Sequence, residues 1–255
     1  MSTDELLLLI IGFLGIALLY SSVGFGGGSS YLALLVLLVD NVAFVRTTAL
    51  LCNLVVVSGS VYWYSRRGHI RLRKFLPFLL ISVPMAYLGA SFRLSEQSFY
   101  VLLGVTLIAS ASLLFWRSWH LTAQATTRAY PAQLAWWLGG GIGLLAGLVG
   151  IGGGIFLAPL LNHLRWDHPV RIAALASLFI LVNSAAGLVG FASAGSLQIE
   201  STATAALLVA VLVGGQLGIR MSLRLFSGRQ IRLVTAVLVL IVGVRVLLVN
   251  GLSLV

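Results

Sequence analysis

Two glycine-rich stretches interrupt long apolar runs of this sequence, and their residue types and spacing suit them to bind a ligand. The candidate residues are Gly24, Gly26, Gly27, Gly28 and Ser29 in the first stretch, and Gly150, Gly152, Gly153 and Gly154 in the second. A helix that begins within such a stretch presents unpaired N–H groups and a partial positive charge. Glycine also removes the Cβ atoms that would keep a ligand away from that backbone. The predicted chemistry is binding of a small anion by main-chain amides.

Helix packing and nucleotide binding are the alternative roles for these glycines. Gly139, Gly143 and Gly147 recur every four residues, which is the spacing of a helix-packing stripe. Consecutive glycines do not share one helix face, so packing explains the two triple-glycine stretches poorly. A phosphate-binding nucleotide loop would need a preceding strand and a following lysine, and neither is present.

The composition requires a membrane protein built from helices. Of the 255 residues, 60% are hydrophobic and 9% are charged, and the mean hydropathy is +1.07. A soluble domain has roughly 25% charged residues, whereas a membrane-spanning helix needs ~20 apolar residues. Continuous apolar runs replace the alternating pattern of a β-barrel. We therefore attribute the net charge of +10 to basic loops that set the orientation of the helices in the membrane. We expect no nucleic-acid partner.

The apolar segments form two series of the same pattern, one long segment followed by three shorter ones. They cover approximately 5–39, 47–64, 75–92 and 98–116, then 132–162, 172–193, 203–219 and 231–249. Matched residues support a duplication: Val23–Gly28 with Val149–Gly154, Val45-Arg46 with Val170-Arg171, Ala49-Leu50 with Ala174-Leu175, and Leu88-Gly89 with Leu217-Gly218. We predict two repeats in one membrane domain, residues 1–120 and 132–255, joined by a cytoplasmic linker at 121–131.

Loop charges predict that the two repeats have opposite orientations. The loops at 65–74 and 220–232 are rich in arginine, so the positive-inside rule places them in the cytoplasm. Counting spans from these loops, segment 132–162 begins and ends inside, whereas segment 5–39 begins and ends outside. Each long segment is therefore a hairpin, either re-entrant or of two spans. We expect both chain termini outside, and a retained first helix, since no basic residues precede it.

The predicted fold is an all-α polytopic membrane protein with two inverted-topology repeats, each a glycine-broken hairpin followed by three transmembrane helices. Many secondary transporters have this construction, and their broken helices meet near the bilayer midplane. The second hairpin arms, about Ser29–Val39 and Ile155–Leu161, are too short to span at ~1.5 Å per residue. Their N-terminal ends should therefore lie inside the membrane and face each other around an anion.

Polar residues in the following helices are further candidates. Asn53 and Asn183 lie within apolar helices, where a polar side chain faces the protein interior or a cavity. Both could donate hydrogen bonds to the anion or join helices to one another. Ser58, Ser184 and Gln216 are weaker candidates on the same grounds.

Arg46 and Arg171 were matched between the repeats above, and both lie near the mouths of the predicted site. A guanidinium suits oxyanions, so these residues could gather substrate, although snorkelling to the interface is the usual role of arginine at a helix edge. Cys52 is expected to fill space in the core. Four histidines in or beside loops make a weak metal case, and we expect neither a metal nor a cofactor.

The glycine stretches and the segments after them resemble the TauE/SafE family of sulfite exporters, also called the toluene sulfonate uptake permeases. The matching sequences are Gly24–Gly28 followed by "VRTTALLCNLVV", and "GLVGIGGGIFLAPLL" at 147–161 followed by "VRIAALASLFILVNSAAG". The resemblance covers essentially the whole chain. It implies a permease for small sulfur-containing anions such as sulfite, sulfoacetate, thiosulfate or an organosulfonate. Ser29-Ser30 replaces Ile155-Phe156 of the second repeat, so the two motifs are not identical.

The positions of the acidic residues bear on what drives transport. All six, namely Asp4, Glu5, Asp40, Glu96, Asp167 and Glu200, lie at segment ends or in loops. A mid-membrane carboxylate for proton coupling is therefore missing. A monoanion leaving an inside-negative cell gains ~2.3 kcal/mol per 100 mV, so export could run on voltage, and uptake would need a coupling ion.

Three other functions stay open. An anion channel would share the glycine site, an intramembrane enzyme would need a catalytic constellation that the sequence lacks, and a structural subunit would bind no anion. We expect a non-enzymatic permease of the bacterial cytoplasmic membrane, whose partners are the sulfur anion, the lipid bilayer and a second copy of the chain in a homodimer.

Overall fold

A computed structural model describes residues 3–22, 26–120, 130–221 and 228–252 of the chain. Within these ranges the chain folds into α-helices joined by short connections. They are α1 (Thr3–Ser22), α2 (Gly28–Leu38), α3 (Val42–Arg66), α4 (Leu72–Ser91), α5 (Glu96–His120), α6 (Ala132–Val149), α7 (Gly154–His163), α8 (Pro169–Ser193), α9 (Ser201–Met221) and α10 (Gly228–Arg245). A turn of π-helix, Val246–Gly251, continues α10. The predicted all-helical class is confirmed.

Seven of the described helices, α1, α3, α4, α5, α6, α8 and α9, are long and apolar enough to cross a membrane. The chain is an integral membrane protein, as its hydropathy predicted. Helices α2 and α7 have only 11 and 10 residues, or roughly 15 Å of helix at 1.5 Å per residue. Each glycine-broken hairpin thus has one arm of spanning length and one short arm.

Local signals set where the two long central helices begin. The side chain of Asn41 accepts a hydrogen bond from the amide of Phe44, 3.0 Å away, and thereby caps α3. Helix α8 begins at Pro169, whose fixed φ suits the first helical position. Helices α3 and α8 each have 25 residues and pack against each other in the middle of the protein.

The helix contacts repeat when α1–α5 are exchanged with α6–α10. The contact of α1 with α9 corresponds to that of α6 with α4, and the contact of α3 with α9 corresponds to that of α8 with α4. Likewise, α2 packs on α3 and α10, and its counterpart α7 packs on α8 and α5. The pairs α3–α8 and α5–α10 join each helix to its own counterpart. These contacts are therefore preserved when the two halves exchange places.

The stripe of glycines on α6 lies against the backbone of α4. A Cβ atom on Gly139 would lie 2.6 Å from the main-chain oxygen of Phe78, and one on Gly143 would lie 2.7 Å from that of Ser82. A Cβ atom on Gly147 would overlap the main-chain oxygen of Ala86. Side chains at these positions would force the helices apart, so the predicted packing role of the stripe is confirmed.

Contacts among the connections and the adjoining helix ends show which of them lie at the same end of the helix bundle. At one end, Lys74 pairs with Asp167, and Tyr130 donates a hydrogen bond to the main-chain oxygen of Leu164. At the other end, Arg93 donates to the main-chain oxygen of Ala194. We call these the lysine end and the Arg93 end.

Two more contacts enlarge the Arg93 end. The amide of Gln198 donates to the hydroxyl of Thr47, and the side chain of Gln97 donates to the main-chain oxygen of Gly251. Helix α2 leads into the connection at 39–41, beside the start of α3 at the Arg93 end, whereas α7 leads into 164–168 at the lysine end. Which end faces the cytoplasm stays a prediction, as does the division into two inverted repeats.

Candidate functional site

Each short helix is preceded by a glycine in the left-handed backbone conformation, which only glycine adopts readily. Gly27, at the N-cap of α2, has φ 82°, and Gly153, at the N-cap of α7, has φ 80°. Neither N-cap residue supplies a side-chain hydrogen bond. The third amide of each first turn, that of Ser30 or Phe156, donates to the main-chain oxygen of the N-cap glycine. The first two amides therefore have neither a helical partner nor a side-chain cap.

Both glycine turns converge on one amide, that of Asn53. A Cβ atom on Gly28 would overlap the Asn53 amide group, and one on Gly26 would lie 2.8 Å from Asn53 Oδ1. From the other turn, the main-chain oxygen of Ile151 accepts a hydrogen bond from Asn53 Nδ2 at 3.3 Å, and a Cβ atom on Gly152 would lie 3.1 Å from the same nitrogen. Asn53 is fully buried. The two glycine turns therefore lie on either side of Asn53 in the described structure.

Ile180 has the corresponding position on α8. A Cβ atom on Gly154 would overlap its side chain, and one on Gly152 would lie 2.8 Å from its Cγ2 atom. Asn53 is the twelfth residue of α3, and Ile180 is the twelfth residue of α8. One half of the protein therefore contributes an amide at this place and the other half contributes an apolar group.

The sixteenth residues of the two helices, Val57 and Ser184, show the opposite arrangement. A Cβ atom on Gly26 would lie 2.8 Å from Val57 Cγ1, and one on Gly152 would lie 2.9 Å from Ser184 Oγ. Ser184, rather than Asn183, is therefore among the atoms nearest the glycines. Both halves thus contribute a polar side chain to the glycine turns, but from different helix positions: the twelfth residue of α3 and the sixteenth residue of α8.

Several polar atoms in this region are buried without a hydrogen-bond partner in the described structure. They are Asn53 Oδ1, Ser184 Oγ and Ser29 Oγ. Both polar atoms of the Asn183 amide are also unsatisfied, but Asn183 is not among the groups nearest the glycines. A buried unsatisfied group costs roughly 1–3 kcal/mol, and native proteins bury few of them. Asn53 Oδ1, Ser184 Oγ and Ser29 Oγ lie beside the two helix N-termini, where a polar ligand would satisfy them.

The described part of the site is buried in this conformation. The described glycines of both motifs, Gly26–Gly28 and Gly150 with Gly152–Gly154, are buried, as is Ser29. Side chains of Asn53 and Ile180 lie between the turns, where the sequence predicted an anion. Gly24 lies outside the described residues.

Arg46 lies beside the second motif, where it holds the end of α6. Its Nη2 atom donates to the main-chain oxygens of Gly147 and Leu148, at 3.2 and 2.8 Å, and its guanidinium lies 4.2 Å from the ring centre of Phe191. A Cβ atom on Gly150 would lie 3.2 Å from Arg46 Cβ. The side chain is only 7% exposed. Arg46 thus caps the C-terminal end of α6 and brings a positive charge to the negative end of the helix dipole.

Arg171 occupies a different environment. It pairs with Asp167 at 3.2 Å, and Asp167 also pairs with Lys74 at 2.6 Å. Burial raises the pKa of Asp167, but the hydrogen bonds from Lys74, the His168 amide and Arg171 outweigh burial and hold the pKa below its ordinary value. Arg46 is the fifth residue of α3 and Arg171 the third residue of α8. The sequence match that equated the two arginines was wrong by two positions.

Metal binding is not apparent in the parts of the chain that the structure describes. Within 3–22, 26–120, 130–221 and 228–252, no three side chains of histidine, cysteine, aspartate or glutamate are grouped to hold an ion. The described site presents main-chain amides and the neutral side chains of Asn53, Ser29 and Ser184.

Comparisons with known proteins identify the family of the chain. The family model described as "Sulfite exporter TauE/SafE" matches residues 8–246. The chain is 31% identical over 241 residues to a "Probable membrane transporter protein y4hK" of Sinorhizobium fredii (strain NBRC 101917 / NGR234), covering 94% of this chain and 97% of that relative. No solved structure matches the chain. The chain therefore belongs to the TauE/SafE family of membrane transporters.

Proposed function

We propose that this transporter is an exporter of small sulfur-containing anions such as sulfite, sulfoacetate, thiosulfate or an organosulfonate. The observation that carries the proposal is the convergence of two uncapped helix N-termini on Asn53. Each N-terminus has a partial positive charge of about half an electron. Two of them beside one amide provide donors and charge for an oxyanion within a low-dielectric interior.

The anion would replace contacts that the protein now makes with itself. Asn53 Nδ2 currently donates to the main-chain oxygen of Ile151, and an oxyanion could accept that hydrogen bond instead. Ser184 Oγ and Ser29 Oγ are buried without partners and could donate to further oxygens. We interpret the present conformation, in which the described glycines of both motifs are buried, as occluded.

Alternating access could follow from the exchange of contacts between the two halves. Helices α2 and α7 begin near Asn53 and lead into connections at opposite ends of the bundle. This arrangement supports two inverted repeats with a shared central site. Rocking of α1–α5 against α6–α10 would expose that site first to one side and then to the other.

Membrane potential is the driving force that the charges favour. Every acid of the chain lies in a connection, at a helix end or in a first helical turn, so a carboxylate at the depth of Asn53 is missing. A monoanion leaving a cell gains ~2.3 kcal/mol per 100 mV of inside-negative potential. We propose that the lysine end, which includes the arginine-rich connection after α3, faces the bacterial cytoplasm.

Flux into proteoliposomes tests this function. Purified protein would be reconstituted, given a potassium diffusion potential of either sign, and supplied with sulfite, sulfoacetate, thiosulfate, sulfate or an organosulfonate. The expected result is saturable flux of at least one sulfur anion other than sulfate, reversed in net direction by the sign of the potential. Flux that ignores the potential would reject voltage drive, and linear, unsaturable conductance would identify a channel.

A further inference from the structure

A pocket lies at the lysine end, away from the glycine turns. It has a volume of about 410 Å³, and its lining includes Arg73, Lys74, Phe78, Tyr130, Ala132 and Trp166. Its walls come from α4, from the start of α6 and from the connection between α7 and α8. None of these residues contributes to the proposed transport site.

The electrostatics of this pocket favour an anion. Arg73 and Lys74 lie in the first turn of α4, where the helix dipole is already positive and cations are disfavoured. Helix α6 also begins at the pocket, at Ala132, with no side-chain cap from Pro131. Two helix N-termini and two cations thus face the same space.

The protein's own carboxylates only partly balance this charge. Asp167 is shared between Lys74 and Arg171, and Arg73 has no ion-pair partner among the described residues. Lys74 is 43% exposed and lies 4.2 Å from the ring centre of Trp166. An additional negative group in the pocket would therefore meet at least one uncompensated cation.

Neighbouring side chains place the pocket at the depth of lipid headgroups. Trp136 and Trp137 in the first turns of α6 are exposed, Trp137 by 81%, and exposed tryptophans are typical of the membrane interface. Exposed Leu72, Leu76 and Leu80 follow one face of α4 from the same level and form a surface suited to acyl chains.

We propose that this pocket binds the phosphate of an anionic phospholipid such as phosphatidylglycerol. Basic pockets between transmembrane helices bind anionic headgroups, and the aromatic rings of Tyr130 and Trp166 would flank the glycerol. An anionic lipid and a free phosphate both present a phosphate oxyanion. The adjoining apolar face of α4 favours the lipid because only the lipid has acyl chains to pack there.

Native mass spectrometry of the full-length protein tests lipid binding. Phosphatidylglycerol and phosphatidylcholine with the same acyl chains would be titrated into detergent-solubilised wild type, Arg73→Gln, Ala132→Phe and the control Arg66→Gln. Arg73→Gln removes the unpaired cation, and Ala132→Phe fills the pocket without changing charge. Arg66 is basic and close in sequence but does not line the pocket.

Wild type should prefer phosphatidylglycerol. Arg73→Gln should weaken phosphatidylglycerol binding about fivefold, equivalent to ~1 kcal/mol per basic residue at an anionic surface. Ala132→Phe should weaken this binding by a similar factor. Arg66→Gln should leave it unchanged. Equal losses in Arg66→Gln and Arg73→Gln, or no loss in Arg73→Gln, would overturn the site. Displacement of the lipid by millimolar inorganic phosphate or glycerol 3-phosphate would assign the pocket to a soluble anion and overturn the lipid proposal.

Discussion

The side-chain nitrogen of Asn53 donates a hydrogen bond to the main-chain oxygen of Ile151, 3.3 Å away. The contact joins the middle of α3 in the first half to the glycine turn of the second half. Because Asn53 also fills the space above Gly26 and Gly28, one amide touches both broken hairpins. Any rocking of one half against the other must change these contacts.

Gly28→Ala should abolish most transport without unfolding the protein. The new Cβ atom would overlap the Asn53 amide, displace it from Ile151 and block the amides of α2. We expect flux to fall about tenfold or more, which corresponds to ~1.4 kcal/mol. Gly141→Ala is the matched control because no atom lies within 4 Å of its Cβ position. Equal flux in the two variants would contradict the role of the α2 N-terminus.

Gly147→Ala should destabilise the protein. Its Cβ atom would overlap the main-chain oxygen of Ala86, and backbone cannot move aside as a flexible side chain does. Overpacking of this kind costs about 1–3 kcal/mol. Thermal unfolding in detergent should show a lower midpoint for Gly147→Ala than for Gly141→Ala, which lies on the same helix. Matching midpoints would mean that α4 and α6 are farther apart than the structure has them.

Arg46→Gln should be much more destabilising than Arg171→Gln. Arg46 is buried and donates to two carbonyl oxygens at the end of α6, and loss of a buried, hydrogen-bonded charge costs about 2–4 kcal/mol. Arg171 is 34% exposed, where an ion pair contributes about 0–1 kcal/mol. Unfolding midpoints measure both changes. A larger effect of Arg171→Gln would contradict the capping role of Arg46.

Asp167→Asn should lower stability at neutral pH and have little effect in acid. Because the folded-state pKa of Asp167 lies below its ordinary value, the carboxylate stabilises the folded state above pH ~4, the unfolded pKa. That contribution disappears as pH falls through the folded pKa. Unfolding midpoints of wild type and Asp167→Asn, measured from pH 7 downward, should therefore converge below pH ~4. A difference that stays constant with pH would show that packing, not charge, makes Asp167 important.

The sequence was sufficient to predict the elements and not their register. Hydropathy identified the spanning helices, and consecutive glycines located the starts of α2 and α7, because both signals are local. The match of Arg46 with Arg171 failed for two reasons that add. Helix α8 begins 15 residues after Gly154 whereas α3 begins 14 after Gly28, and Arg171 follows Gly154 by 17 residues whereas Arg46 follows Gly28 by 18. Ile180 was missed because an isoleucine in an apolar helix carries no signal. Only packing around Gly152 and Gly154 reveals it.

Anion binding by variants at the twelfth residues of α3 and α8 tests most directly whether the two glycine turns and Asn53 hold the substrate. Asn53→Leu removes the amide, whereas Ile180→Leu conserves volume at the equivalent place on α8 and serves as control. Titration of purified protein with whichever sulfur anion wild type transports should show about 10- to 100-fold weaker binding by Asn53→Leu, the loss of one charge-assisted hydrogen bond. Ile180→Leu should bind like wild type. Undiminished binding by a folded Asn53→Leu protein would contradict the assignment of this site.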